Sequence, residues 1–236
     1  MQILRTKRRS RQDGFTLIEV LVSMVIMGIV SAMLIGIWIV LTHASAFAQA
    51  DNTAASTARD ALDRVSAELR DAQPSTTVST TPFIFTMSSP YLCDGYDCTF
   101  YSSYNNALTK TQSGLSGEAQ VLPTAIYLDT SGTTPQKKLY WIRDTNANGS
   151  FDVADKRILL AANVVNTAAS VNKPIFTYVF RDTSGNYTTS NSLNSTSVKT
   201  LVSINIELVV DANLNDKPTY IDLVSTVRPR NQGTNQ

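Results

Sequence analysis

The side chains best suited to a chemical role lie in one short stretch, Asp144 to Asp155, which reads DTNANGSFDVAD. Oxygen-bearing side chains occupy its first, third, fifth, ninth and twelfth positions, and a glycine occupies the sixth. Calcium takes about six to eight hard oxygen ligands, and a chain that surrounds it must turn sharply. The spacing therefore predicts a calcium loop, whose ligands would be Asp144, Asn146, Asn148, Ser150 through its backbone carbonyl, Asp152 and Asp155.

The two ends of this stretch indicate which kind of calcium loop it is. Asp155 stands where an EF-hand has glutamate, and in this the stretch resembles the loop of dockerin modules. The residues just before it, Leu139 to Ile142, are typical of a strand, whereas an EF-hand has a helix there. We therefore expect the loop without the EF-hand fold, with calcium as a structural cofactor. An Asn/Gly/Asp-rich turn that binds no metal is the alternative.

The two cysteines, Cys93 and Cys98, enclose four residues that include a glycine. A loop of this size can close as a disulfide in an oxidising compartment. A structural zinc site needs about four ligands. The chain offers only these two cysteines and one histidine as typical zinc ligands, so we do not expect zinc. The spacing predicts a Cys93–Cys98 disulfide, with two reduced thiols as the alternative.

A single carboxylate, Glu19, stands at the start of a long apolar segment. Val20 to Leu41 contain no charged residue, and as a helix they would span roughly 33 Å, about the thickness of a bilayer core. Five basic residues and one acidic residue lie within the first fourteen positions, so the N-terminus should stay in the cytoplasm and the rest be exported. Because a charge costs about 2.5–3.5 kcal/mol at mid-membrane, we expect Glu19 to have a partner.

The residues around Glu19 resemble the N-terminal segment of type IV prepilins and type II secretion pseudopilins. The resemblance rests on the basic leader, on Gly14 and on the sequence FTLIEV from Phe15 to Val20. It implies cleavage after Gly14 by a membrane prepilin peptidase, N-methylation of Phe15, and pairing of Glu19 with the terminal amine of a neighbouring subunit. The implied partners are other pilin or pseudopilin subunits, an inner-membrane assembly platform and membrane lipid.

Two other topologies compete with this interpretation. The small residues at 46, 48 and 50 fit a signal-peptidase site, but the apolar run exceeds the ~7–15 residues of a signal-peptide core. A plain single-pass anchor fits the length and leaves Glu19 as a carboxylate tolerated at the membrane interface.

The remaining pattern predicts an α+β fold, in which one long helix packs on an antiparallel β-sheet head. The chain has neither proline nor glycine from Thr42 to Gln73, and Pro74 should end the helix. An apolar stripe at helical spacing lies on its second half, formed by Leu62, Val65, Leu69 and Ala72. The expected division is a leader at 1–14, a transmembrane half at 15–41, a soluble amphipathic half at 42–73, a head at 74–230 and a tail at 231–236.

Short runs of β-forming residues follow Pro74. Along the clearest of them, Val202, Ile204, Ile206 and Leu208 alternate with polar residues, which predicts one buried face under the helix. The last two runs should pair as an antiparallel hairpin. The predicted strands are 83–85, 124–128, 138–142, 157–161, 175–180, 201–210 and 220–227.

The sequence offers little for other functional classes. It has no phosphate-binding glycine loop and no G-x-S-x-G motif, and its one histidine, His43, lies at the membrane boundary, so we expect no enzyme. Without its basic leader the chain is mildly acidic, which does not indicate nucleic acid. The resemblance favours a minor pilin or a J-type pseudopilin of a type IV pilus, type II secretion or DNA-uptake machine, held in the cytoplasmic membrane and then in a filament or at the cell surface. The alternative is a single-pass binding module or adhesin outside any filament.

Overall fold

The computed structural model describes residues 15–74, 81–85, 92–104, 121–146, 148–212 and 220–230. The predicted leader at 1–14, including Gly14, and the tail at 231–236 lie outside these residues. The fold is α+β, as predicted, with one long helix and an eight-stranded antiparallel sheet. The elements are α1 (Leu17–Arg70), β1 (Asp97–Ser102), β2 (Leu122–Asp129), β3 (Lys137–Arg143), β4 (Lys156–Val164), β5 (Phe176–Arg181), β6 (Tyr187–Ser190), β7 (Leu201–Asp211) and β8 (Tyr220–Val227), with a 3-10 turn at Ser197–Thr200.

The chain divides into two compact units, residues 1–49 and 50–236. The described part of the first unit is almost entirely the apolar portion of α1. That helix is long and apolar enough to cross a membrane, and no side chain of its most apolar stretch is buried within the protein. Its length and composition suggest a membrane-anchored protein.

Strand β7 organises the sheet of the second unit. The strands run in the order β1-β2-β3-β4-β7-β5-β6, and β8 also pairs with β7 as the predicted hairpin. Between the residues that pair with β5 and the residue that pairs with β4, the backbone of β7 is hydrogen-bonded by the buried side chain of Asn166. This amide donates to the carbonyl of Glu207 at 2.8 Å and accepts from the N–H of Val209 at 2.9 Å. A side chain thus replaces a missing stretch of strand and keeps the backbone of β7 hydrogen-bonded.

The soluble end of α1 buries a stripe of small and apolar residues. Val65, Leu69 and Ala72 are buried as predicted, whereas Leu62 is only half-buried. Ala58 and Ala61 extend the stripe toward the N-terminus and belong to the same core cluster as the central residues of β7. The small side chains on this face allow the helix backbone to come close to the sheet.

Some predicted boundaries were wrong. The helix ends at Arg70 and not at Gln73, since the N–H of Gln73 instead donates to the carbonyl of Tyr101 at 3.0 Å. The predicted strand 83–85 is reduced to a bridge between Phe83 and Phe100. Strands β1 and β6 were not predicted, because β1 is partly polar in sequence, although all of it is buried, and β6 is short and exposed.

The alternation predicted for β7 holds in only part of the strand. Ile204, Ile206 and Leu208 face the core as expected, but Val202 is half-buried and Leu201 is buried instead. The pairing with β5 shifts register at this point, where Val179 opposes Ser203 but Phe180 opposes Leu201. A register shift of this kind changes which side chains face the core.

Candidate functional site

Helix α1 begins with a reciprocal pair of hydrogen bonds. The backbone N–H of Thr16 donates to the carboxylate of Glu19 at 3.4 Å, and the N–H of Glu19 approaches the Thr16 hydroxyl at 3.4 Å. This is a capping box, and its sequence signal, Thr-x-x-Glu, was missed in the sequence analysis. Glu19 therefore has a partner within its own chain.

The start of α1 also places Glu19 close to the residue predicted to become the N-terminus. Its carboxylate approaches the Thr16 hydroxyl at 3.5 Å, and Thr16 directly follows Phe15. Both Phe15 and Glu19 are exposed in the single chain. A carboxylate in the first turn is also favoured by the helix dipole.

The Asp144–Asp155 stretch forms the whole connection between β3 and β4. Arg143 and Lys156 pair as the last and first residues of the two strands, so the hairpin closes immediately outside the stretch. Asp144 is fully buried and Asp155 is nearly so. The two predicted end ligands therefore lie at the base of the loop.

These two carboxylates bind the backbone of the loop. Asp144 Oδ2 accepts from the N–H of Gly149 at 2.7 Å, and its Oδ1 accepts from Asn148 at 3.3 Å. Asp155 Oδ1 accepts from the N–H of Thr145 at 2.9 Å, and its Oδ2 accepts from the N–H of Asp152 at 2.8 Å. Both side chains therefore point into the loop.

Three further predicted ligands converge on each other. Asp152 Oδ2 accepts from the amide of Asn148 at 2.9 Å and from that of Asn146 at 3.3 Å. A hydrogen bond from the Ala154 N–H, with smaller contributions from the two asparagines, lowers the pKa of Asp152. Gly149 has a φ of +81°, a left-handed conformation that suits glycine and makes the turn at the sixth position.

The donor set of the loop is made of hard oxygens. Within the described residues, no group of three or more His, Cys, Asp or Glu side chains could by itself hold a metal. A cation in the loop would therefore also need asparagine oxygens and backbone carbonyls. Ser150, whose carbonyl is one predicted ligand, donates its N–H to Asn148 Oδ1 at 2.8 Å. Mixed oxygen sets of this kind suit calcium.

Cys93 and Cys98 are buried as free thiols. Burial raises the pKa of Cys98 well above its usual value, and a hydrogen bond with Cys93 raises it further. The Cys93 thiol donates to the carbonyl of Thr99 at 3.2 Å. The two side chains are therefore neighbours, and the disulfide between them stays a prediction.

A buried ion pair next to the loop was missed in the sequence analysis. Arg143 Nη2 lies 2.8 Å from Glu68 Oε2, and both side chains are almost completely buried. Burial raises the pKa of Glu68, while Arg143 and a hydrogen bond from Ser102 oppose that rise. The alternation along β3 could have indicated that Arg143 is buried, since Arg143 continues the buried face of Leu139 and Trp141.

Comparisons with known proteins identify the N-terminal segment. Residues 9–35 match the family model of the prokaryotic N-terminal methylation motif. No curated protein and no solved structure matches the chain. The matched residues include Gly14, Phe15 and Glu19, which confirms the predicted resemblance. Together with the long apolar helix, the match is consistent with a type IV prepilin-like protein.

Proposed function

We propose that this chain is a minor pilin or pseudopilin subunit of a type IV filament-like machine, whether a pilus, a type II secretion system or a DNA-uptake system. The observation that supports this most directly is the methylation motif at residues 9–35, which continues into the apolar helix α1. Prepilin peptidase removes the leader after Gly14, Phe15 is N-methylated, and an inner-membrane platform moves the helix into a filament. Proteins of this kind are generally not enzymes.

In this proposal Glu19 changes partner during assembly. Before processing, its carboxylate belongs to the capping box with Thr16, whose contacts are long at 3.4–3.5 Å. After processing, the amine of Phe15 is a cation in apolar surroundings, and so is that of each neighbouring subunit. A carboxylate and an amine that pair there compensate each other's desolvation. The weak contacts to Thr16 are easily exchanged for such a pair.

We also propose that the Asp144–Asp155 loop binds a structural calcium ion after export. Two buried carboxylates, one exposed carboxylate and two asparagines of the loop supply oxygens of the type that calcium prefers. Calcium in extracellular modules binds at about 10⁻⁴–10⁻³ M. The ion would neutralise the carboxylates and hold the hairpin loop in one conformation.

Replacement of Gly14 tests the processing step. Gly14→Val should leave the leader attached, because a branched side chain before the scissile bond does not fit a peptidase that accepts glycine. The measurement is the intact mass of the membrane-extracted protein after expression with the peptidase. Gly132→Val, in an exposed loop where an added Cβ has space, is the matched control and should be processed normally. Normal processing of Gly14→Val would overturn the proposed function.

The second candidate is a membrane-anchored binding module or adhesin that joins no filament. A polar cleft of about 520 Å³ in the head favours it. Asp94, Tyr96, Asn172 and Asn191 contribute to its lining. Such a module does not need cleavage at Gly14, so the state of the Gly14–Phe15 bond separates the two functions.

A further inference from the structure

The buried pair of Glu68 and Arg143 connects the long helix with the Asp144–Asp155 loop of the head. Glu68 belongs to the soluble part of α1, and Arg143 is the last residue before the Asp144–Asp155 loop. We propose that this pair couples the loop to the helix, so that calcium bound in the loop strengthens the docking of residues 58–72 on the sheet. The inference rests on the proposed calcium site.

Arg143 uses all three nitrogens of its guanidinium group. Its Nε donates to Thr124 Oγ1 at 3.0 Å, its Nη1 donates to the carbonyl of Tyr104 at 2.8 Å, and its Nη2 donates to Glu68 at 2.8 Å. The acceptors come from β2, from the residues after β1 and from α1. Because the guanidinium is a planar fork with fixed directions, these three bonds fix the position of the guanidinium group, while strand pairing with Thr124 and Lys156 holds the backbone of Arg143.

The first residue of the loop is bonded to the same part of the sheet as Arg143. Asp144 follows Arg143 directly, and its N–H donates to the carbonyl of Pro123 at 3.0 Å. Pro123 is adjacent to Thr124, which accepts from the Arg143 side chain. The start of β2 is therefore bonded both to the first residue of the loop and to the arginine before it.

Glu68 is sensitive to any movement of Arg143. Its side chain is fully buried, so water cannot replace a lost partner. The Ser102 hydroxyl donates to the same oxygen at 2.9 Å. Arg64, one turn earlier on the helix, is more distant, with its Nη2 at 3.9 Å from Glu68 Oε1. Removal of one partner from a buried pair leaves an uncompensated charge, which would loosen the helix.

Calcium acts on this arrangement through charge and order. Without the ion, the carboxylates of Asp144, Asp152 and Asp155 are held by hydrogen bonds from N–H groups of the loop itself. With the ion, they are held together, and the backbone at Asp144 is restrained beside Arg143. The effect is reciprocal, because a docked helix must raise the calcium affinity by the same factor by which calcium favours docking.

The test compares calcium affinities of the full chain in detergent micelles by isothermal titration calorimetry. Glu68→Gln should weaken calcium binding by about 5-fold or more, the lower end of ordinary coupling between sites. Asp63→Asn, at an exposed position of the same helix, is the matched control for loss of one negative charge and should bind almost as the wild type does. Equal affinities for both variants would overturn the coupling and leave the calcium site intact.

Hydrogen exchange of the wild-type chain gives a second measurement that needs no variant. Amides of residues 58–72 should exchange more slowly in calcium than in chelator. Unchanged exchange there, in a sample whose calorimetry shows calcium binding, would overturn the coupling alone. An absence of any heat of calcium binding would instead overturn the calcium site, and the coupling with it.

Discussion

Glu19 has two potential partners, and they make different demands on its side chain. A capping box accepts glutamate or glutamine at this position, whereas an ion pair with a neighbour's amine requires the charge. The capping contact lies within the chain, and the ion pair belongs to the proposed filament. The charge of Glu19 and its hydrogen-bonding shape can therefore be tested separately.

The variants Glu19→Gln and Glu19→Ala separate the two roles. Both remove the charge, but only glutamine keeps a side chain that suits the capping box. Both variants should insert in the membrane, since each makes the helix less charged, but both should enter filaments at least ten-fold less well. Breaking a buried pair costs about 3–5 kcal/mol, whereas a lost cap costs about 1 kcal/mol. The measurement is the amount of variant in sheared filaments relative to membrane. Normal incorporation of Glu19→Gln alone would show that capping, and not charge, is the role of Glu19.

Asp97 is a buried carboxylate whose ionisation opposes folding. Burial, with repulsion from nearby Asp94, raises its pKa from 3.8 to about 7, although the Leu128 N–H that it accepts at 3.0 Å acts in the opposite direction. A carboxyl group whose pKa is higher in the folded than in the unfolded chain favours folding at a pH below its unfolded-state pKa. That contribution is lost as the pH rises through the folded-state pKa, here about 7.

Asp97→Asn should therefore stabilise the head at pH 8, by up to about 4 kcal/mol, and change its stability little near pH 4. Asparagine keeps an oxygen for Leu128 without the charge. The measurement is chemical denaturation at the two pH values, with the exposed Asp60→Asn as control. A stabilisation that is equal at both pH values would contradict the raised pKa.

At the scale of elements, the β3–β4 hairpin joins the loop to the core. Its strands place Leu139, Trp141 and Arg143 on the buried face, and five oxygen-bearing side chains form hydrogen bonds within its loop. The hairpin is therefore the element through which the ion would affect stability.

Calcium at about ten times its dissociation constant should add about 1.4 kcal/mol, which corresponds to roughly 3–6 °C in the melting temperature of a head of this size. Asp144→Ala should abolish that difference between calcium and chelator. Asp182→Ala is the matched control. Asp182 also accepts backbone N–H bonds in a turn that contains a glycine, but this turn is not a predicted calcium loop. Wild-type melting curves that superimpose in calcium and in chelator would contradict the calcium site.

These elements show how much of the fold could be predicted from the sequence. Periodicity located α1 and most strands, since apolar repeats report directly on burial. It could not locate β1, whose polar Thr99 and Ser102 are buried by strand pairing and by α1. It also missed the shift at Val202, which depends on the partner strand β5. Interactions between distant residues, such as that of Glu68 with Arg143, leave only weak local signals.

At the scale of the whole molecule, the two units need different surroundings. The first exposes large apolar side chains along its helix, which lipid or neighbouring helices must cover. The second has a core of its own. A chain of this kind fits the proposed subunit, which is held in the membrane as a precursor and then transferred into an assembly.

The identity of the mature N-terminus tests this account most directly. The wild-type protein is extracted from membranes or filaments of cells that contain a prepilin peptidase, and its terminal peptide is sequenced by mass spectrometry. We predict a chain that begins at Phe15 with one methyl group on its amine. A chain that begins at Gln49 or Asp51, or that retains Met1 and the leader, would contradict the account.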